Sequence, residues 1–140
     1  MQFQVSTDYA IRILHYLHTN KSLTTAQDVS VAVGVTYPFF IKIANQLKKE
    51  GLLTTVQGRH GGYLLAKPAD QISLYNVFVA IEGEMALNRS LQYSRSEENH
   101  CALHNYFSKV QTMLIDQLSQ AYISDFDIIV PHNEVHKRMA

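Results

Sequence analysis

Two groups of residues in this 140-residue chain could do chemistry, and the first is a cationic turn. The stretch VQGRHGGYLL, residues 56–65, places Arg59 and His60 among three glycines. Glycine permits positive φ angles and close approach to a partner, while the flanking residues suit paired strands. We therefore predict a β-hairpin with cations at its tip. Such an arginine suits a phosphate or a narrow minor groove, although a solvated arginine on a structural hairpin is the plainer alternative.

The second group surrounds the single cysteine, Cys101, which has His100 and His104 close by in sequence. A thiol activated by nearby cations could sense redox state, and the thiolate and imidazoles could bind zinc or iron. One cysteine among loop histidines is a weak metal motif, so we favour a position without a function and expect no metal. A hydrolase using Cys101 is disfavoured, because no oxyanion glycine motif lies beside it.

Three predicted helices precede the cationic turn. Ser6 or Thr7 should cap the first helix, which ends near His18 and carries His15 as a second surface or interface histidine. A short capping pattern beginning at Thr25 predicts a brief second helix that a glycine ends nine residues later. The apolar positions of these two helices are Ala10, Ile11, Leu14, Leu17, Val29 and Val33.

The third helix should turn one face to the core and the other to a partner. Thr36 caps it, and Pro38 lies early, where a missing N–H costs little. The predicted buried stripe is Phe40, Ile43, Ala44 and Leu47. On the opposite face, Lys42 suits phosphate or guanine, Asn45 suits adenine, and an exposed Ile41 suits a thymine methyl. An ordinary surface with one exposed isoleucine is the alternative.

The order of these elements, two helices, a longer helix and a hairpin, is that of a winged helix-turn-helix domain. There the third helix enters the major groove and the hairpin contacts phosphates or the minor groove. Twelve Lys+Arg balance twelve Asp+Glu overall, but residues 36–69 hold five Lys and Arg against one acid. The predicted DNA contacts are Thr36, Tyr37, Ile41, Lys42, Asn45, Lys49, Arg59 and His60.

The remainder of the chain predicts a packing helix, a loop and an arm. Ser73 caps a helix that reaches Gly83 and packs on the winged domain. A long helix follows whose apolar seam has no second arm to cover it, so a second copy of the chain is the expected partner. The seam residues are Leu103, Phe107, Val110, Leu114 and Leu118.

The predicted fold class is mainly α with a small β wing, a winged helix-turn-helix domain plus a long dimerisation helix. Its segments are residues 1–83 (winged domain with packing helix), 84–100 (exposed sensor-type loop), 101–123 (dimerisation helix) and 124–140 (tail, with no predicted structure). No apolar run approaches the roughly 20 residues of a membrane span, and no signal pattern opens the chain. With one cysteine, we expect a cytoplasmic protein that does not associate with membranes.

The stretches STDYAIRIL, FFIKIANQLKKEGLL and VQGRHGGYLLAKPADQISL, with the long terminal helix, resemble the Rrf family of bacterial winged-helix transcriptional regulators. The family includes the IscR, NsrR and CymR types, and TDYAIRIL and KIANQL are most similar to the NsrR branch. The resemblance covers nearly the whole chain. It implies the same fold and a homodimer that binds double-stranded DNA.

In cluster-bearing members, three cysteines in the loop before the long helix hold an iron–sulfur cluster. Cys101 matches the last of them, His104 matches the histidine ligand of the IscR branch, and Asp8 lies where the NsrR branch has its acid. Counting back by sixes from Cys101 reaches Arg95 and Arg89, and arginine does not ligate iron. We therefore expect no cofactor and no standard iron–sulfur cluster, and keep Cys101, His104 and Asp8 as the candidate sensor.

These features favour a homodimeric, sequence-specific transcriptional regulator, a repressor, that binds a roughly palindromic operator and is not an enzyme. Its effector, a small molecule or a protein, is unknown; a signal at residues 84–100 or at Cys101 would change the angle between the two DNA-binding domains. The alternative is a protein-binding regulator that docks a metabolic enzyme, with DNA binding secondary, as the resemblance to CymR allows.

Overall fold

A computed structural model of the chain describes residues 4–87 and 102–127. Within them lie five α-helices and one two-stranded sheet: α1 Val5–Asn20, α2 Ala26–Val33, α3 Tyr37–Lys49, β1 Leu53–Val56, β2 Gly62–Leu65, α4 Leu74–Glu82 and α5 Ala102–Ser119. Two short 3₁₀ helices, Ala69–Gln71 and Ile123–Asp125, follow β2 and α5. The predicted fold class, mainly α with a small β wing, is confirmed.

Three helices begin at the predicted capping residues. The hydroxyl of Thr25 accepts a hydrogen bond from the Asp28 N–H (3.2 Å), and that of Thr36 accepts one from the Phe39 N–H (3.3 Å). Ser73 and Asn76 cap α4 reciprocally. Each oxygen satisfies a backbone donor that the first helical turn leaves unpaired, so these helix starts follow from local sequence.

The predicted start of α1 was wrong. The helix begins at Val5, and neither Ser6 nor Thr7 caps it. The carboxylate of Glu82, at the end of α4, lies at this helix start: Oε2 accepts from the Thr7 hydroxyl (2.6 Å) and Oε1 from the Gln4 N–H (3.3 Å). A carboxylate here also suits the positive end of the helix dipole. The start of α1 is therefore stabilised by Glu82, which is 75 residues from Thr7, and not by the side chain of a local capping residue.

Helices α1 to α4 enclose one apolar core. His15 was expected at the surface or at an interface, and this was wrong, because only 7% of it is exposed in the single chain. It lies one residue after the fully buried Leu14 and packs edge-on to the half-buried His18. The largest fully buried side chains are Phe40, Ile13, Leu14, Ile43, Leu47, Leu52, Leu53, Ile72, Ile123, Val29 and Val77.

The hairpin is extended by a third segment that the sequence did not predict. β1 and β2 pair antiparallel, with Leu53 opposite Leu65 and Val56 opposite Gly62. On the other side of β2, the Tyr63 N–H donates to the Thr24 carbonyl (2.8 Å), and the Thr24 N–H donates to the Tyr63 carbonyl (3.3 Å). The segment leading into α2 is thereby joined to the hairpin.

The long helix α5 contains no buried residue in the single chain, and the chain then returns to the core. The helix ends at Ser119 rather than at residue 123. The Leu74 N–H donates to the Ala121 carbonyl (2.8 Å), and the Ile123 N–H donates to the Ile72 carbonyl (3.0 Å). Because the fully buried Ile123 anchors this return, the end of α5 is fixed to the start of α4. None of the helices in the described part combines the length and hydropathy of a membrane span.

Candidate nucleic-acid interface

Helix α3 separates a buried face from a cationic one. Its buried residues are Phe40, Ile43, Ala44 and Leu47, which confirms the predicted stripe. On the opposite side, Pro38, Lys42, Asn45 and Lys49 follow each other at spacings of four, three and four residues, and all four are exposed. Such spacings place side chains on one face of a helix. Two lysines and an amide therefore line a single outward stripe.

The other predicted contacts on α3 lie at its flank or its start. Tyr37 is 51% exposed, and Thr36 is exposed while its hydroxyl caps the helix. Ile41 was expected to face solvent, but it is half-buried and packs against the core. Its apolar side chain therefore needs no DNA contact to account for it.

The wing, defined as β1, β2 and the turn at residues 57–61, carries Arg59 and His60 at its exposed tip. Of the three glycines only Gly58 has a positive φ, of 112°. Gly61 serves close approach instead, because a Cβ there would lie 2.1 Å from the Val56 carbonyl oxygen. The turn is thus too tight for side chains at Gly61 and leaves both cations outside.

The wing base contacts α3 directly. The Tyr63 ring packs edge-on against Phe40, with ring centroids 5.1 Å apart. The Leu52 N–H donates to the Leu47 carbonyl (2.9 Å), so the turn between α3 and β1 is fixed as well. Burial, and to a smaller extent the nearby Tyr37, raise the pKa of Tyr63 above its usual value. The folded chain therefore holds the proton of this hydroxyl more tightly than an exposed tyrosine does.

The cations of this region are free of carboxylate partners within the described residues. An ion pair between described residues joins Arg12 to Asp8 on α1, outside this region, with Nε 3.0 Å from Oδ2. The exposed bases on α3, on the wing and directly after it are Lys42, Lys48, Lys49, Arg59 and Lys67. Cations without internal partners are available to phosphate oxygens, which attract them through long-range electrostatics.

The candidate sensor residues are only partly described. Asp8 is exposed on α1 and paired with Arg12, and His104 is half-buried in the first turn of α5. Cys101 lies outside the described residues, as do Arg89, Arg95 and His100. Across 4–87 and 102–127, no three His, Cys, Asp or Glu side chains gather closely enough to hold a metal ion.

The predicted dimerisation residues lie along α5 with unequal exposure. Leu103 is 61% exposed, whereas Phe107, Val110, Leu114 and Leu118 are half-buried. Leu118 borders a small apolar cavity of about 130 Å³ between α1, α4 and α5. Tyr106 and Met113 are also more than half exposed, and they add apolar surface on the side of α5 that faces solvent. One side of α5 thus packs on its own chain, and the other presents large apolar groups to solvent.

Three structurally important residues escaped sequence reasoning: Thr24, Tyr63 and Glu82. Each acts through a partner far along the chain, so no local spacing marks it. The one available signal was the pair of glycines before Tyr63, since Gly62 has no space for a Cβ, which would lie 2.6 Å from the Thr24 carbonyl oxygen. A glycine inside a strand can indicate a close backbone neighbour.

The sequence matches a known protein family over most of its length. The family model of Rrf2, described as an iron-dependent transcriptional regulator, matches residues 3–126. Protein aau3 of Rhizobium meliloti (strain 1021) is 31% identical, and the match covers 86% of this chain and 86% of that protein.

Two solved structures share the fold. CymR, the global cysteine regulator of B. subtilis, superposes with a TM-score of 0.73 at 16% identity, covering 89% of this chain and 95% of that one. IscR of T. potens superposes with a TM-score of 0.67 at 19% identity, covering 89% and 85%. Identities this low support the likeness of fold alone.

Proposed function

The chain belongs to the Rrf2 family of transcriptional regulators, and from that premise we propose that it is a homodimeric repressor of a roughly palindromic operator. DNA binding and transcriptional regulation follow from the family. The observation that carries the proposal for this chain is the exposed stripe of Lys42, Asn45 and Lys49 beside a wing tipped with Arg59. These cations have no carboxylate partner among the described residues.

In the proposed complex α3 lies in the major groove. Asn45 can donate and accept hydrogen bonds at an adenine edge, and Lys42 suits a guanine edge or a phosphate. Lys49, at the end of the helix, then lies where the phosphate backbone passes. Arg59 enters the minor groove or pairs with a phosphate at its rim, and His60 adds a weaker contact.

The second copy is proposed to cover the apolar outer side of α5. Leu103, Tyr106 and Met113 are all more than half exposed, and their spacings of three and seven residues place them on one face of the helix. A twofold axis through paired α5 helices would set two DNA-binding domains on half-sites about one helical turn, or a multiple of one, apart. This symmetry is why the operator is expected to be palindromic.

The iron dependence in the family description does not fit the donor set of this chain. Standard clusters take thiolates as most or all of their protein ligands, and this sequence holds one cysteine. Arg89 and Arg95 stand where the cluster-bearing relatives are expected to have the other two. We therefore propose regulation without a standard cluster, by a small-molecule or protein effector acting at residues 84–100 or Cys101.

The visible spectrum of protein purified without oxygen tests the cluster-free proposal. We expect a colourless protein with less than about 0.1 iron per chain, since one thiolate cannot assemble an ordinary cluster. A brown sample with absorption near 400 nm and stoichiometric iron and sulfide would contradict it. The Cys101→Ser variant, measured in parallel, would then establish whether that thiol is a ligand.

Selection of bound sequences from a random duplex library tests the function itself. We expect an inverted repeat bound by a dimer, with affinity falling steeply as salt rises. Transcription from the selected sequence should fall when the protein is present. A protein that retains no duplex but co-purifies with a metabolic enzyme would support the protein-docking alternative instead.

A further inference from the structure

On the basis of the proposed function, we infer that Tyr63 is a positioning residue that sets the wing against α3, so that Arg59 and the α3 stripe meet the same duplex. Tyr63 lies in β2, two residues after the glycine turn that ends at Gly61. Its side chain is half-buried, and no DNA contact is assigned to it.

The backbone of Tyr63 holds three segments together. It pairs with Thr24 through two hydrogen bonds of 2.8 and 3.3 Å, and it stands opposite Thr55 of β1 in the sheet register. Thr24 is itself buried, and its hydroxyl accepts from the Asn20 amide (2.8 Å). The wing is therefore tied at this residue to the segment between α1 and α2.

The side chain of Tyr63 adds the link to α3. Its ring meets the fully buried Phe40 edge-on, at an interplanar angle of 84°. Phe40 lies two residues before Lys42, on the opposite face of the same helix. Loss of the ring would remove this contact with α3, while the backbone pairing with Thr24, the chain turn and the apolar contacts at Leu52 and Leu53 would remain.

A double-mutant cycle on operator DNA distinguishes positioning from simple core filling. We expect Tyr63→Leu to weaken binding about tenfold, and Tyr63→Phe, which keeps the ring, to stay within about twofold of the parent. With Arg59→Ala already present, Tyr63→Leu should cost less than about threefold more, since the wing contact is gone. A full tenfold loss in that background, or no loss in the parent, would overturn the inference.

A distance measurement without DNA makes the inference independent of operator binding. Spin labels at Gln57→Cys on the wing and Lys48→Cys on α3, in a Cys101→Ser background, report the distance between the two elements. Labelled chains are diluted into unlabelled ones so that only distances within one chain count. We expect one narrow distance distribution in the parent and in Tyr63→Phe, and a broad distribution in Tyr63→Leu. An equally narrow distribution with Leu would overturn the inference.

Two further measures distinguish a failure of this inference from an unfolded variant and from a failure of the proposed function. If Tyr63→Leu does not fold, as judged by circular dichroism, Tyr63→Met replaces it, because methionine fills apolar volume without an aromatic edge. The same losses and broadening are expected of it, and wild-type behaviour would overturn the inference. If no operator can be selected, the proposed function fails, while the distance measurement still decides whether Tyr63 holds the wing.

Discussion

Residues 4–83, which we propose as the DNA-binding half, and the helix α5 bury apolar side chains in different ways. In the DNA-binding half, the apolar stripe of every long helix is covered by another element of the same chain, and Phe40 and Leu14 are fully buried. In α5 no residue is buried, and Leu103 and Met113 are more than half exposed. The first region is held together by internal packing, whereas the second is suited to pack on something outside the chain.

The largest expected effect contrasts the two regions by stability. Phe40→Ala should lower the free energy of unfolding by about 3–5 kcal/mol, because it leaves a cavity in the core and removes the ring that Tyr63 contacts. Leu103→Ala, the matched truncation on α5, should change it by less than about 0.5 kcal/mol when measured on the monomer. Urea unfolding at low protein concentration checks both. Equal losses would break the contrast.

The second prediction tests what covers α5. Leu103→Asp with Met113→Asp should shift the protein from dimer to monomer in sedimentation, because burying two unpaired carboxylates at an interface is costly. Thr112→Asp is the control and should leave the dimer intact, because Thr112 is exposed and lies nine residues after Leu103, on the opposite side of the helix. A doubly charged variant that stays dimeric would place the interface elsewhere.

The third prediction separates phosphate contacts from base contacts within the DNA-binding half. Lys42→Ala should weaken binding to all sequences and reduce the salt slope by about 1 if Lys42 pairs with phosphate. Asn45→Ala should cost about 1–3 kcal/mol on the selected operator and little on unrelated DNA. Fluorescence titrations at several salt concentrations measure both. A uniform loss from Asn45→Ala would remove it from the base-reading set.

The smallest expected effect concerns pH and the joint at the wing base. Burial raises the pKa of Tyr63, so the folded chain keeps this proton at a pH where the unfolded chain has lost it. The resulting stability is present below about pH 10 and is lost as pH rises through the raised value. Tyr63→Phe lacks this dependence, so the parent should lose stability relative to the variant only above pH 10. A constant difference from pH 8 to 11 would contradict the assignment.

Local chemistry explains which parts of the fold were predictable. Thr25, Thr36 and Ser73 cap helices through oxygens three residues from their donors, and the buried stripe of α3 repeats at helical spacing. The caps and the stripe therefore follow from short stretches of sequence. The cap that Glu82 supplies to α1 and the return that Ile123 anchors join residues distant in sequence. No spacing encodes such partners, because they depend on how the helices pack.

The candidate site divides in the same way. The exposed cations Lys42, Lys49 and Arg59 could be identified from helix phase and glycine content. Ile41 was misplaced, because a residue at the edge of a stripe is covered or exposed according to its neighbours, and these come from other elements. Tyr63 was read only as a strand residue, since its contacts with Phe40 and Thr24 appear only in three dimensions.

The central claim is that α3 and the wing face one DNA duplex while α5 serves the second copy. Hydrogen–deuterium exchange of the intact protein, with and without its selected operator, tests it most directly. We predict slower exchange on DNA binding in peptides covering residues 36–49 and 57–62, with α5 unchanged. Protection confined to α5, or present in α3 but absent from the wing, would contradict the claim.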